Sequence, residues 1–215
     1  MDVMRDMPKN SVDCILTDLP YNELGRRSNN GFDHVRHIKG GAQDNTDDLD
    51  LQAVLNEMWR ICKGSFYIFC GFGQISEIHE FFLGHGCSPR MIIWEKTNPV
   101  PTNGEHTWLF GIEPCMFAKK TGATFNLHCE NTVLRYPIAE PTGHPTPKHV
   151  TLMGKLVLAS TNEGDLVFDP FAGGATTAIA CVRTKRDFIC VERDPNFYEL
   201  ARKRVNLERQ QLSLF

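Results

Sequence analysis

The sequence predicts an α/β fold, a mostly parallel sheet with helices on both faces. Three observations carry that expectation. Short apolar runs alternate along the chain with stretches whose apolar residues recur at helical spacing, the pattern of βαβ units. Two of the runs end in an acid followed by a special loop, Thr17-Asp18-Leu19-Pro20-Tyr21 and Asp169 to Thr177. The length of 215 residues, 41% hydrophobic and 23% charged, suits one domain with a sizeable core.

Taken in order, Ser11 to Asp18 reads as a strand that Leu19-Pro20-Tyr21 breaks. Asn22 to Asp50 has no period and splits by sign: Arg26, Arg27, His34, Arg36, His37 and Lys39 come first, then Asp44, Asp47, Asp48 and Asp50. Such a long loop is functional or mobile, or else a solvated linker. Asp47 or Asp48 is expected to cap a helix carrying Leu51, Val54, Leu55, Met58 and Ile61, which Lys63-Gly64 ends. Ser65 to Cys70 reads as a buried strand, and Gln74 to Leu83 as a helix stopped by Gly84 and Gly86. Met91 to Trp94 and Glu113 to Ala118 read as strands separated by a polar loop with Pro99 and Pro101. Lys119 to Gly143 is short, polar and irregular, with room for a hairpin. Lys148 to Ser160 is an amphipathic helix. Leu166 to Phe168 is a strand that stops at Asp169, and a helix runs from about Ala175 to Val182. Phe188 to Val191 is a strand ending in Glu192, and a last helix runs from Pro195 to end near Glu208. There are no internal repeats.

The chemistry is concentrated at the strand ends. Glycines after a strand let the backbone approach a ligand, and the next helix offers it free N–H groups. An acid ending the second strand of a βαβ unit, here Glu192, is placed to grip ribose hydroxyls. Together they indicate a nucleoside-containing ligand, against the plainer reading of a tight turn with nothing bound. The eight cysteines form no CxxC pair and read as reduced core residues of a cytoplasmic protein, neither metal ligands nor disulfides. No apolar run is long enough to span a bilayer. The net charge of −3 means that any nucleic-acid surface must be local.

Several of these residues resemble a known family. Asp18-Leu19-Pro20-Tyr21 resembles the Asp-Pro-Pro-Tyr catalytic motif of amino-methyltransferases that use S-adenosylmethionine. Phe168-Asp169-Pro170-Phe171-Ala172-Gly173 resembles their Asp-Pro-Phe-x-Gly cofactor motif, and His144-Pro145-Thr146-Pro147-Lys148 the His-Pro-Thr-x-Lys element before it. Ile93-Trp94-Glu95-Lys96 and Glu192-Arg193-Asp194-Pro195 also match. The catalytic motif precedes the cofactor motif, the order of the beta class of DNA methyltransferases. The resemblance covers nearly the whole chain. It implies a Rossmann-like methyltransferase sheet in one domain, residues 1–207, with 22–50 a mobile DNA-contacting loop, 119–143 a short target-recognition segment and 208–215 a peptide tail. The sequence departs from the pattern at Leu19, where a proline is usual, and at Gly174-Ala175, where Ser-Gly is usual. It also starts at Met1-Asp2, where relatives have an edge strand ending in Gly-Asp, so one sheet edge is expected to be missing or supplied otherwise, as by the partner in a homodimer.

The resemblance also implies roles. Asp18, Leu19, Pro20 and Tyr21 would be catalytic: Asp18 accepts a hydrogen bond from the target amine, a carbonyl at Leu19 or Pro20 accepts a second, and Tyr21 stacks on a flipped base. Asp169, Pro170, Phe171, Gly173, Thr176, Glu192, Thr146 and Lys148 would bind S-adenosylmethionine. In that set Asp169 meets the methionine end, Glu192 the ribose, Phe171 the adenine or sulfonium, and Thr146 and Lys148 the methionine carboxylate. Arg26, Arg27, Arg36 and Lys39 would contact phosphates of double-stranded DNA. The expected reaction is methylation of N6 of adenine in DNA. N4 of cytosine, and a cofactor binder that has lost catalysis through Leu19, are the alternatives. Cys115 follows a proline in an apolar strand and reads as core, not as the nucleophile of C5 methylation. The tail Gln211-Leu212-Ser213-Leu214-Phe215 resembles the pentapeptide that docks on the bacterial sliding clamp; otherwise it folds back on the domain's own core.

Overall fold

The computed structural model describes residues 1–20, 49–101, 105–140, 143 and 147–212. Tyr21, Arg26, Arg27, Arg36, Lys39, Thr146, Ser213, Leu214 and Phe215 lie outside them. The described elements are α1 (Asp2–Asp6), β1 (Val12–Asp18), α2 (Leu51–Ile61), β2 (Cys62–Phe69), α3 (Ile75–Gly84), β3 (Arg90–Lys96), β4 (Ile112–Lys119), β5 (Val133–Tyr136), α4 (Val150–Ser160), β6 (Leu166–Asp169), α5 (Thr176–Thr184), β7 (Asp187–Cys190) and α6 (Pro195–Leu212).

The strands form one sheet in the order β5-β3-β4-β2-β1-β6-β7. Every neighbouring pair is parallel except those of β4, which runs against both β2 and β3. The reversal matters for the site. It brings the start of β4, Ile112-Glu113, to the edge where the other strands end, with Glu113 opposite Trp94 of β3. No strand pairs outside β5 or β7 among the described residues.

Alternation along the strands divides the core. Ile15, Phe66, Ile68 and Phe168 pack with Val54, Leu55 and Met58 of α2 and Ile78 and Phe82 of α3. Their neighbours Leu16, Tyr67, Phe69 and Val167 point the other way, onto Leu152, Met153, Leu156 and Val157 of α4 and onto Ala180 and Cys181 of α5. α6 covers α5 through Ala201 and Val205. Helices therefore lie on both faces of a mostly parallel sheet, as the sequence implies. No helix among the described residues is long and apolar enough to cross a membrane.

The structure corrects several expected boundaries. The cap of α2 is Asp50, whose side chain accepts from the Ala53 N–H at 2.9 Å, rather than Asp47 or Asp48. Lys63-Gly64 does not end α2 but lies inside β2, which starts directly after the helix. Gly64 has a steric reason to be there: a Cβ would stand 1.9 Å from the Asp13 carbonyl oxygen of the neighbouring strand. Among the described residues the irregular segment after β4 holds no hairpin but one strand, β5, parallel to β3. α6 runs past Glu208 to Leu212, because Arg209-Gln210-Gln211-Leu212 contains only good helix formers. Arg183 of α5 also grips Glu208 with two bonds of 2.6 and 2.9 Å. α1 carries no sequence signal of its own. It is held by buried Met4 and by Arg60, which donates to the Met4 and Met7 carbonyls at 2.5 and 2.7 Å.

Candidate active site

Because β1 and β6 are adjacent and parallel, Asp18 and Asp169 both reach the carboxyl edge of the sheet, with Asp18 further along it. Asp169 is buried. One of its oxygens accepts from the Thr17 hydroxyl at 2.7 Å and the Phe171 N–H at 3.1 Å; the other accepts from the Thr177 hydroxyl at 2.7 Å. Asp169 is thus a knot joining β1, β6, the loop after it and α5. Burial pushes its carboxyl up to about 6, even though the three donors favour the charged form.

The loop after Asp169 turns through left-handed backbone at Gly173 (φ 48°) and Ala175 (φ 59°) before Thr176 opens α5. The Gly173 N–H donates to Glu192 at 2.8 Å, and the other Glu192 oxygen accepts from the Asp194 N–H at 2.8 Å. The Ala172 N–H donates to the Val191 carbonyl at 2.9 Å. Arg204 of α6 donates to the Gly174 carbonyl. The loop and the end of β7 are therefore laced into one unit. Pro170 and Phe171 are half-buried, and Phe171 packs against the α2–α3 side of the core.

Asp18 belongs to a second network. Its carboxylate accepts from Lys148 Nζ at 2.5 Å; Lys148 also pairs with Glu113 at 2.9 Å, and Glu113 with Lys96 at 2.7 Å. Lys148, expected at a methionine carboxylate, is only 5% exposed and stands between two acids, with its ammonium 5.2 Å from the Phe69 ring centre. Burial pushes the Glu113 carboxyl up, but Lys148 and Lys96 outweigh it and hold it below its ordinary value.

Leu19 is part of the core. Its side chain is buried in the α2–α3 side. Its N–H donates to the Phe69 carbonyl at 3.0 Å, a bond a proline could not make. The Pro20 carbonyl accepts from Gln74 Nε2 at 3.3 Å, while Gln74 Oε1 accepts from the Gly71 N–H at 2.9 Å. Buried Gln74 thus fixes Pro20 just beyond β1. Gln74, Glu113, Thr17 and Thr177 are site residues that the sequence reading missed. Glu113 had one signal, an acid set in an otherwise apolar strand.

Asp169 gives a pH signature. A carboxyl whose folded pKa is raised stabilises the fold fully below its ordinary value of 3.8 and loses that contribution as pH rises through about 6. The gap corresponds to on the order of 3 kcal/mol. In urea unfolding from pH 4 to 7.5, the stability of the protein relative to Asp169→Asn is expected to fall as pH rises. A difference independent of pH would contradict the assignment.

A family model described as DNA methylase, for N6 and N4 methylases, matches residues 12–203. The type II methyltransferase M2.DpnII of Streptococcus pneumoniae is 26% identical over 236 residues, covering 95% of this chain and 86% of the relative. M2.MboI of Moraxella bovis is 27% identical over 240 residues, covering 96% and 85%. The crystal structure of the M1.HpyAVI–SAM complex superposes with a TM-score of 0.72 at 28% identity, covering 94% of each chain. The cytosine-N4-specific PvuII DNA methyltransferase superposes with a TM-score of 0.70 at 14% identity, covering 97% of this chain and 88% of that one, and shares the fold. With both motif loops side by side at the carboxyl edge and the family match spanning most of its length, the chain belongs to the N6/N4 DNA methylase family and is an S-adenosylmethionine-dependent DNA methyltransferase.

Proposed function

We propose that this enzyme methylates N6 of adenine in double-stranded DNA by direct in-line transfer to a flipped base. The observation that carries the reading is the convergence of Asp18, the Pro20 turn and the laced loop at Asp169–Glu192 on one edge of the sheet. Asp at the head of the tetrapeptide is the feature that the family resemblance ties to adenine.

The residues fit the cofactor. The Gly173 N–H meets Glu192, whose carboxylate bridges the loop and the end of β7, and α5 opens directly after the loop. Glu192 would take the ribose hydroxyls, with Pro170, Phe171, Gly173 and Thr176 shaping the pocket. Asp169 acts through the loop, both its oxygens being engaged inside the protein. When bound, S-adenosylmethionine supplies an electrophilic methyl group on a sulfonium.

An exocyclic amine is a poor nucleophile because its lone pair is delocalised into the ring. Positive charge develops on that nitrogen during attack, and the Asp18 carboxylate is placed to accept its hydrogen bond and favour the charge. Lys148 keeps Asp18 aimed, and Glu113 with Lys96 balances Lys148. A carbonyl at Leu19 or Pro20 accepts the second amine hydrogen, and Gln74 sets the Pro20 carbonyl. Tyr21 stacks on the target base, and Arg26, Arg27, Arg36 and Lys39 bind phosphates on either side of it. Thr146 helps to hold the methionine carboxylate of the cofactor.

Further partners follow from the same reading. Gln211 to Phe215 dock on a bacterial sliding clamp, with Gln211-Leu212 leaving the end of α6, where helices fray readily. A second copy is recruited as a homodimer along a sheet edge that is open among the described residues, and the mostly buried free cysteines suit a cytoplasmic setting.

Incubation with labelled S-adenosylmethionine and duplex DNA, followed by nucleoside mass spectrometry, tests the reading. N6-methyladenine is the expected product. N4-methylcytosine would move the target to cytosine, and no transfer at all would leave only cofactor and DNA binding.

A further inference from the structure

Three large aromatic side chains stand out beside the crevice. Phe72 is 53% exposed, Trp108 95% and Phe110 61%. Phe72 lies in the 3-10 turn Phe72–Gln74, the turn whose Gln74 holds the Pro20 carbonyl. Phe110 comes from the loop between β3 and β4 and meets the Phe72 ring edge-on, with centres 5.8 Å apart. Lys96 Nζ is 5.2 Å from the Phe110 ring centre and bonds Glu113, so three ion pairs, through Glu113 and Lys148, link it to Asp18. Trp108 precedes Phe110 by two residues in the same loop.

A tryptophan so fully exposed contributes almost nothing to the core, and the other two tryptophans differ. Trp94 is buried with its Nε1–H on the Tyr136 carbonyl, and Trp59 stacks on Phe66. An apolar rim next to a reactive acid is a place where a ligand lands. We propose that Trp108, Phe110 and Phe72 form a stacking rim for an unpaired nucleobase of the DNA substrate, a base left without its neighbour when the target is drawn from the helix.

The chemistry of the substrate selects this occupant. The target amine cannot be reached inside the duplex, so methylation by Asp18 requires a base to be unstacked. Extrusion exposes the π-faces of the bases that flanked or paired with the target. Aromatic side chains accept such faces whatever the sequence, because every base has one. The inference rests on the DNA-methylating activity proposed above and assigns it three residues outside the motifs.

The test uses the full-length protein, Trp108→Ala and Trp108→Phe, with short duplexes carrying the methylated sequence. Duplex DNA is expected to quench the tryptophan emission of the unmodified protein, and Trp108→Ala is expected to lose most of that quenching. Trp108→Ala should bind DNA roughly five- to a hundredfold more weakly, the range found when one base-stacking aromatic is truncated. Trp108→Phe should retain most of the affinity, and cofactor affinity should be the same in all three. If Trp108→Ala binds and methylates DNA like the unmodified protein, the rim assignment is wrong and the methylase reading stands. If the unmodified protein neither binds nor methylates DNA, both fall. If Trp108→Ala leaves DNA affinity intact but dissociates a dimer in sedimentation, the rim is an interface between copies and the inference is overturned.

Discussion

Replacing Asp18 with alanine is expected to lower methyl transfer by roughly two to three orders of magnitude while S-adenosylmethionine still binds. Asp18 sits at the end of β1, 25% exposed, and is the acid that the fold presents to the crevice. Its removal takes away the proposed acceptor for charge on the attacking nitrogen. It should leave the fold sound, because Lys148 keeps Glu113 as its counter-ion. Single-turnover methylation and cofactor calorimetry on the same preparation separate the two effects. Near-normal turnover in the variant would remove Asp18 from the chemistry.

Lys148→Met is expected to act differently, on stability and activity together. Lys148 lies buried between Asp18 and Glu113, and methionine keeps its bulk while removing its charge. Two carboxylates would then share a partly dry site with Lys96 as the remaining cation of the network. Removing one partner of a buried ion pair costs about 3–5 kcal/mol, mostly because the opposite charge is stranded. Neutralising that charge should return part of the loss, so Lys148→Met with Glu113→Gln is expected to be more stable than Lys148→Met alone. Urea unfolding of the single variants and the pair measures the coupling. Strict additivity would mean that the ion pair carries no such weight.

The contrast between these two residues also shows what the sequence could and could not reveal. Asp18 was legible because its neighbours are local: a strand, an acid, a proline and a tyrosine in succession. The same holds for the loop after β6, where small residues must follow the strand within a few positions. Lys148 was legible as part of a motif but not as the partner of Asp18, which lies far away in sequence. Its second acid, Glu113, reaches the site only because β4 runs backwards, and no local pattern announces strand direction. Gln74 looked like an ordinary helix start, since nothing nearby in sequence points to the Pro20 carbonyl. The errors at element ends have similar causes. Asp47, Asp48 and Asp50 are chemically alike as caps, and only the backbone chooses among them. The end of α6 carried no breaker for the reading to find.

Thr17 and Asp18 are consecutive, yet their side chains serve different masters. Thr17 is bonded to Asp169 beneath the loop, and Asp18, paired with Lys148, is the acid proposed to meet the target amine. The loop and Asp18 are therefore not independently adjustable. A molecule that settles the loop also biases the end of β1, and a base that settles Asp18 biases the loop. Thermodynamic reciprocity fixes the size of the exchange: whatever factor the cofactor adds to DNA affinity, DNA adds to cofactor affinity. Thr17→Val cuts the hydroxyl out of this link while keeping the strand's shape, so the two affinities of that variant should drift towards independence.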